Sequence, residues 1–180
     1  AAMLLTLVMA LSLLTVTAFA EGNEAKIGEK EYPTFEEAVA EAQDGETIIL
    51  LQNVAVDKPV ELKTSVTLDL GSFTLSHSGD QVLEVYADVT IQNGTVSMTD
   101  RASGSAIWLN EDAKLTLEKN ATVSATKSPE GSPSFAIGLR PNCAGAELVV
   151  KGKVTGENGI TPTGTLKTEN TISIEDGAVI

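Results

Sequence analysis

Acid chemistry has the most candidates in this chain. Asp69 and Glu118 hold corresponding places in two alternating segments, and Gln92 holds the same place in a third. Stacked as adjacent strands, these segments would put the two carboxyls two strand spacings apart, roughly 9.6 Å. Glycoside hydrolysis uses carboxylate pairs about 5 to 10 Å apart, the wider ones for inversion. Solvent-facing strand positions are polar in any protein, however, and Lys151 and Glu175 continue the same series as a mixed-charge face. Asp100, Glu111 and Asp112 carry hard oxygen ligands of the kind calcium takes. Neither an Asp-x-Asp-x-Asp loop nor a glycine-rich nonapeptide accompanies them, so structural calcium is not indicated and no cofactor is expected. His77 would need a positioned acid and nucleophile to act; between Ser76 and Ser78 it reads as a turn residue. Cys143 has no His nearby in sequence and reads as a buried or turn thiol. No catalytic residue is assigned.

Binding chemistry is better represented. In the segment Ile107-Trp108-Leu109, alternation turns Ile107 and Leu109 inward and Trp108 outward. Tyr86 is outward one segment earlier, and Glu84, Asn110 and Arg140 fall nearby. An aromatic pair with hydrogen-bonding neighbours is a sugar-stacking platform. The competing reading covers Trp108 with the insertion from Lys127 to Ser134. Asn93-Gly94-Thr95 and Asn120-Ala121-Thr122 match the glycosylation pattern, but both fall at a repeat corner, which accounts for them without glycans.

The elements that must position these side chains form a repeat. Val66-Thr67-Leu68-Asp69-Leu70-Gly71 aligns with Val89-Thr90-Ile91-Gln92-Asn93-Gly94 and with Leu115-Thr116-Leu117-Glu118-Lys119-Asn120-Ala121. Leu148-Val149-Val150-Lys151-Gly152 and Ile172-Ser173-Ile174-Glu175-Asp176-Gly177 are further copies. Val66, Val89, Leu115, Leu148 and Ile172 should fill one inward column, and Leu68, Ile91, Leu117, Val150 and Ile174 a second. Another strand recurs at Leu83–Tyr86, Ile107–Asn110 and Ile137–Arg140. The expected fold is all-β: a right-handed parallel coil of three short strands per turn and about five turns, over residues 47 to 180. A chain with 4% aromatic residues and 42% apolar ones suits such an aliphatic core. Before it, Thr34 and Glu37 make a capping-box pattern. Phe35, Ala38, Val39 and Ala42 give a helix over about 34 to 43, whose narrow apolar face is expected to cap the open end of the coil. Period two begins only at Thr47.

Composition removes several function classes. A net charge of −13 repels phosphate backbones, so no nucleic-acid partner is expected. One Cys and one His leave no disulfide framework and no zinc finger. Met3 to Val16 is uncharged and apolar, ends at Ala18-Phe19-Ala20, and gives way to charge at Glu21. That is the layout of a secretory signal peptide over residues 1 to 20, cleaved after Ala20 to leave no membrane contact. A membrane anchor is the alternative. The chain stops at Ile180 within a repeat, and it is read as the N-terminal part of a longer protein.

Tyr32-Pro33-Thr34-Phe35-Glu36-Glu37-Ala38-Val39, Asp44-Gly45-Glu46-Thr47-Ile48 and Val66-Thr67-Leu68-Asp69-Leu70-Gly71 together resemble the start of the right-handed parallel β-helix domains of bacterial secreted and surface proteins, the pectin-lyase-like superfamily. Ile91-Gln92-Asn93-Gly94-Thr95 is similar to the recurring turn of that family. The resemblance covers nearly all of the chain after residue 20 and is specific for fold, not activity. Its glycosidases use Asn-Thr-Asp, Asp-Asp and Gly-His-Gly elements, and none occurs here. Its lyases use an Arg base with clustered Asp, and neither Arg101 nor Arg140 lies in such a motif. The expected function is that of a non-catalytic secreted or cell-surface module for adhesion, touching an extracellular polysaccharide or host-surface glycan. The alternative is the front of a polysaccharide lyase or glycoside hydrolase with its catalytic turns beyond residue 180. Mass spectrometry of exported material is expected to find Glu21 at the N-terminus; an intact apolar segment in the membrane fraction would favour the anchor.

Overall fold

The computed structural model describes residues 22–99, 104–126, 133–141, 143–162 and 170–180. Two short strands, β1 (Ala25–Ile27) and β2 (Lys30–Tyr32), precede one helix, α1 (Phe35–Glu41). Strands then follow in order: β3 (Thr47–Leu50), β4 (Val54–Ala55), β5 (Val60–Leu62), β6 (Val66–Asp69), β7 (Thr74–His77), β8 (Leu83–Val85), β9 (Asp88–Gln92) and β10 (Gly94–Met98). The rest are β11 (Gly104–Leu109), β12 (Lys114–Leu117), β13 (Ala121–Ala125), β14 (Ser134–Leu139), β15 (Glu147–Val150), β16 (Lys153–Thr155), β17 (Asn158–Pro162) and β18 (Thr171–Ile174).

These strands wind into a parallel β-solenoid of about five turns. One sheet runs β18-β15-β12-β9-β6-β3-β1-β2, a second β16-β13-β10-β7-β4, and a third β17-β14-β11-β8-β5. From β3 onward every strand pair is parallel. The register places like over like. Val66 pairs with Val89, Val89 with Leu115, Leu115 with Leu148, and Leu148 with Ile172. The second inward column aligns the same way, and from Val66 to Val150 both columns are at most 5% exposed. Burial of each such side chain contributes roughly 1.5–3 kcal/mol relative to exposure. At the corners, crowding demands small residues. A Cβ on Gly94 would lie 2.5 Å from the Phe73 carbonyl oxygen, and one on Gly152 would clash with that of Glu118.

The helix is shorter than the expected 34 to 43. Thr34 is its N-cap and accepts a hydrogen bond from the Glu37 amide at 3.2 Å. The Glu24 carboxylate satisfies a second orphan amide, that of Phe35, at 2.8 Å. Ala42 closes the last turn onto the Ala38 carbonyl and then leaves in an extended conformation. Phe35 and Ala38 are fully buried, and the helix packs against β1, β2 and β3.

The hairpin of β1 and β2 lies before Thr47, where the alternating pattern begins in the sequence. Here β1 pairs antiparallel with both β2 and β3, so the coil's first sheet has its leading edge covered by an added ribbon. Three-residue strands with Ala25 and Tyr32 as their buried members carry too few apolar positions to register as a period. Among the described residues, no helix is long and apolar enough to cross a membrane. Leu117→Ala, which empties a fully buried column position, is expected to cost about 2–5 kcal/mol in urea unfolding. Thr116→Ala beside it, on the outer face, should stay within about 0.5 kcal/mol.

Candidate functional site

The third sheet presents the proposed binding residues. Leu83, Val85, Ile107, Leu109, Ile137 and Leu139 are fully buried, which forces the residues between them outward. Register puts Glu61, Glu84, Trp108 and Gly138 in one outward row. One step beyond each strand pairing, Lys63, Tyr86, Asn110 and Arg140 follow.

These residues meet in one network. The Arg140 guanidinium lies 4.7 Å from the Trp108 ring centroid. It donates to Glu84 Oε1 at 2.6 Å and to Gln81 Oε1 at 3.2 Å. The Gln81 amide also donates to Glu84 Oε1, and the Tyr86 hydroxyl donates to Glu84 Oε2 at 2.6 Å. Both oxygens of Glu84 are therefore occupied. Burial pushes its carboxyl up, but the hydrogen bonds from Tyr86 and Gln81, with the charge of Arg140, more than reverse this and hold it below the ordinary value. The same bond to Glu84 pushes the Tyr86 phenol up to about 12. Lys63 stands 5.7 Å from the Tyr86 ring centroid and pairs with Glu61. Asn110 joins less directly: its side-chain amide donates to the Val85 carbonyl at 3.2 Å.

Gly138 makes the network possible. A Cβ there would lie 2.5 Å from both Trp108 Cζ3 and Ser105 Oγ, so the indole occupies the space a side chain would take. The Ser105 hydroxyl is fully buried and has no hydrogen-bond partner among the described residues. Trp108 thus points outward as expected, yet its ring is engaged by Arg140, and the large aromatic left accessible is Tyr86, 39% exposed. Most of the insertion invoked to cover Trp108, residues 127 to 132, lies outside the described residues. Lys63 and Gln81 join the residues that the sequence pattern singles out. The alternation of Val60-Glu61-Leu62 could have placed Lys63 beside Tyr86, whereas Gln81 sits in a turn that follows no period.

The other candidates have different surroundings. Asp69 and Glu118 do occupy one outward column with Gln92 between them. Asp69 accepts from the Gly71 amide at 3.0 Å, Gln92 Nε2 at 3.1 Å and Asn93 Nδ2 at 2.9 Å. Glu118 pairs with Lys151 at 3.0 Å. Each carboxylate is held by its own partners, and neither is aimed at a shared cleft. Asn93 and Asn120 hydrogen-bond to each other in a ladder along the corner. Glu111 and Asp112 lie between β11 and β12, and Asp100 is outside the described residues; among those described, no three His, Cys, Asp or Glu side chains gather around a common point. Cys143 is a buried free thiol, and burial pushes its pKa up.

The Glu84 cluster can hydrogen-bond and stack. The chain matches no family model, and neither a curated protein nor a solved structure matches it significantly. Glu84→Gln removes the charged acceptor, so the Tyr86 phenol should fall back toward the ordinary value of about 10, read as tyrosinate absorbance in alkaline titration.

Proposed function

We propose that the protein is a non-catalytic, exported β-helix module that presents a rigid face to neutral glycans on an extracellular polysaccharide or a host surface. The observation that carries this reading is the locked network around Glu84. It fixes the exposed Tyr86 ring and the Arg140 guanidinium on backbone that needs no ordering on binding. A phenol ring offers stacking to the apolar face of a sugar, and guanidinium N–H groups beyond those that serve Glu84 and Gln81 among the described residues offer hydrogen bonds to its hydroxyls. A chain of net charge −13 favours neutral over uronate polymers as ligands.

The same reading takes the coil as right-handed with three strands per turn, the hand that parallel crossover connections overwhelmingly adopt. It takes α1 as a cap, since its Phe35–Ala38 face packs where the first strand would otherwise meet solvent. Export follows from the apolar segment before Glu21.

Titration with a panel of neutral oligosaccharides, followed by fluorescence of the single Trp, tests the function. Binding in the millimolar to micromolar range is expected, weakened tenfold or more by Tyr86→Ala and by Arg140→Ala. A panel without a single binder, or binding that survives both substitutions, would overturn the assignment.

A further inference from the structure

His77, the only histidine, ends β7 and is bound at both ring nitrogens. Nδ1 lies 2.6 Å from the Gln81 carbonyl oxygen, within the turn before β8, and Nε2 lies 3.2 Å from the Asp57 carbonyl oxygen, in the preceding turn of the coil. Carbonyl oxygens only accept. A neutral imidazole has one N–H and one lone pair, so either tautomer can serve one carbonyl and must set its lone pair against the other. The imidazolium donates to both. The bridge between the Asp57 and Gln81 turns therefore exists in full only when the ring carries a proton from solvent.

What hangs from that bridge is the candidate site. Gln81, whose carbonyl His77 holds, sends its side chain to Glu84 and Arg140, and Arg140 in turn lies over Trp108. We propose that His77 is a proton-operated clip that regulates this site: protonation ties the Gln81 turn to the Asp57 turn and sets the Glu84–Arg140–Trp108 arrangement, and loss of the proton turns a lone pair on one of the two carbonyls and loosens it. The clip is closed on the acid side and opens as pH rises. The charged residues on the turns that His77 bridges are Asp57 and Lys58 between β4 and β5 and Asp80 between β7 and β8, with Glu84 and Arg140 linked through the Gln81 side chain. From β10, the facing residue is the uncharged Met98. Asp100 and Arg101 lie outside the described residues. Gly79 packs against the imidazole so closely that a Cβ there would clash with the ring.

As regulation of that face, the proposal rests on the glycan-contact reading, but its test needs no ligand. With a single His and a single Trp in the chain, the imidazole resonances and the Trp108 fluorescence are each unambiguous. Both are followed through a pH titration that takes the imidazole from charged to neutral. The expected result is a Trp108 signal that moves with the same midpoint as the imidazole, and is flat in His77→Gln. Gly79→Ala keeps the histidine but displaces its ring, and should uncouple the two signals. An imidazole that titrates while Trp108 stays constant, or a Trp108 response unchanged in His77→Gln, overturns the clip. Failure to find a glycan would sink the binding reading and leave this result standing.

Discussion

Backbone hydrogen bonding between successive turns is the constraint on which the rest of this molecule depends. Strands pair in parallel at a spacing of about 4.8 Å, so whatever occupies a position in one turn sits directly against its equivalent in the next. Inside, that rule is satisfied by aliphatic columns such as Leu68-Ile91-Leu117-Val150. Outside, it turns charge into a problem, because like charges would be stacked in a protein already far from neutral. The column through Asp69, Gln92, Glu118, Lys151 and Glu175 never sets two carboxylates side by side. Where Glu61 does face Glu84, each has a cation: Lys63 on one and Arg140 on the other.

The same rule explains the architecture of the candidate site. Trp108 faces Glu84 in the turn before and Gly138 in the turn after, and its ring lies over the glycine, where a Cβ would come within 2.5 Å of it. The vacancy lets the indole spread along the sheet, and Arg140 folds over it to reach a carboxylate two turns away. A cation on an aromatic face contributes about 0.5–2 kcal/mol depending on exposure. A guanidinium–carboxylate pair with 35% and 14% of its side-chain surfaces exposed is better sheltered than an ordinary surface pair. Together these contacts join Gln81, Glu84, Trp108 and Arg140 into one cluster across three turns.

Column membership was legible in the sequence because period two and a turn-sized repeat survive insertions. Both inward columns, the outward set with Asp69 and Glu118, and the direction of Trp108 follow from it. What did not follow has a common cause. The β1–β2 hairpin stands outside the repeat, Gln81 lies in a turn, and the placement of Arg140 over Trp108 is a matter of rotamer, not register. Alternation tells which face a residue occupies; it says nothing of how far a long side chain reaches along that face. The helix was recognisable by its cap and apolar spacing, yet Glu24, which bonds its first amide, comes from ten residues before the N-cap and belongs to no capping motif.

The hairpin and helix at the leading end bear on how the chain acquires its structure. Stability in a stacked array is close to a sum of nearest-neighbour terms, and growth proceeds from whichever unit first becomes ordered. β1, β2 and α1 meet one another across short loops, whereas each later strand must close a loop of a whole turn before it gains a partner. The antiparallel ribbon thus has the smallest closure cost of these pairings, and β3 is the coil strand that pairs with it. Synthesis delivers these segments in the same order, so each emerging turn meets a finished edge to anneal to. A hairpin that blunts an edge in the completed protein is also, by loop-closure entropy alone, the least costly pairing from which to extend the coil.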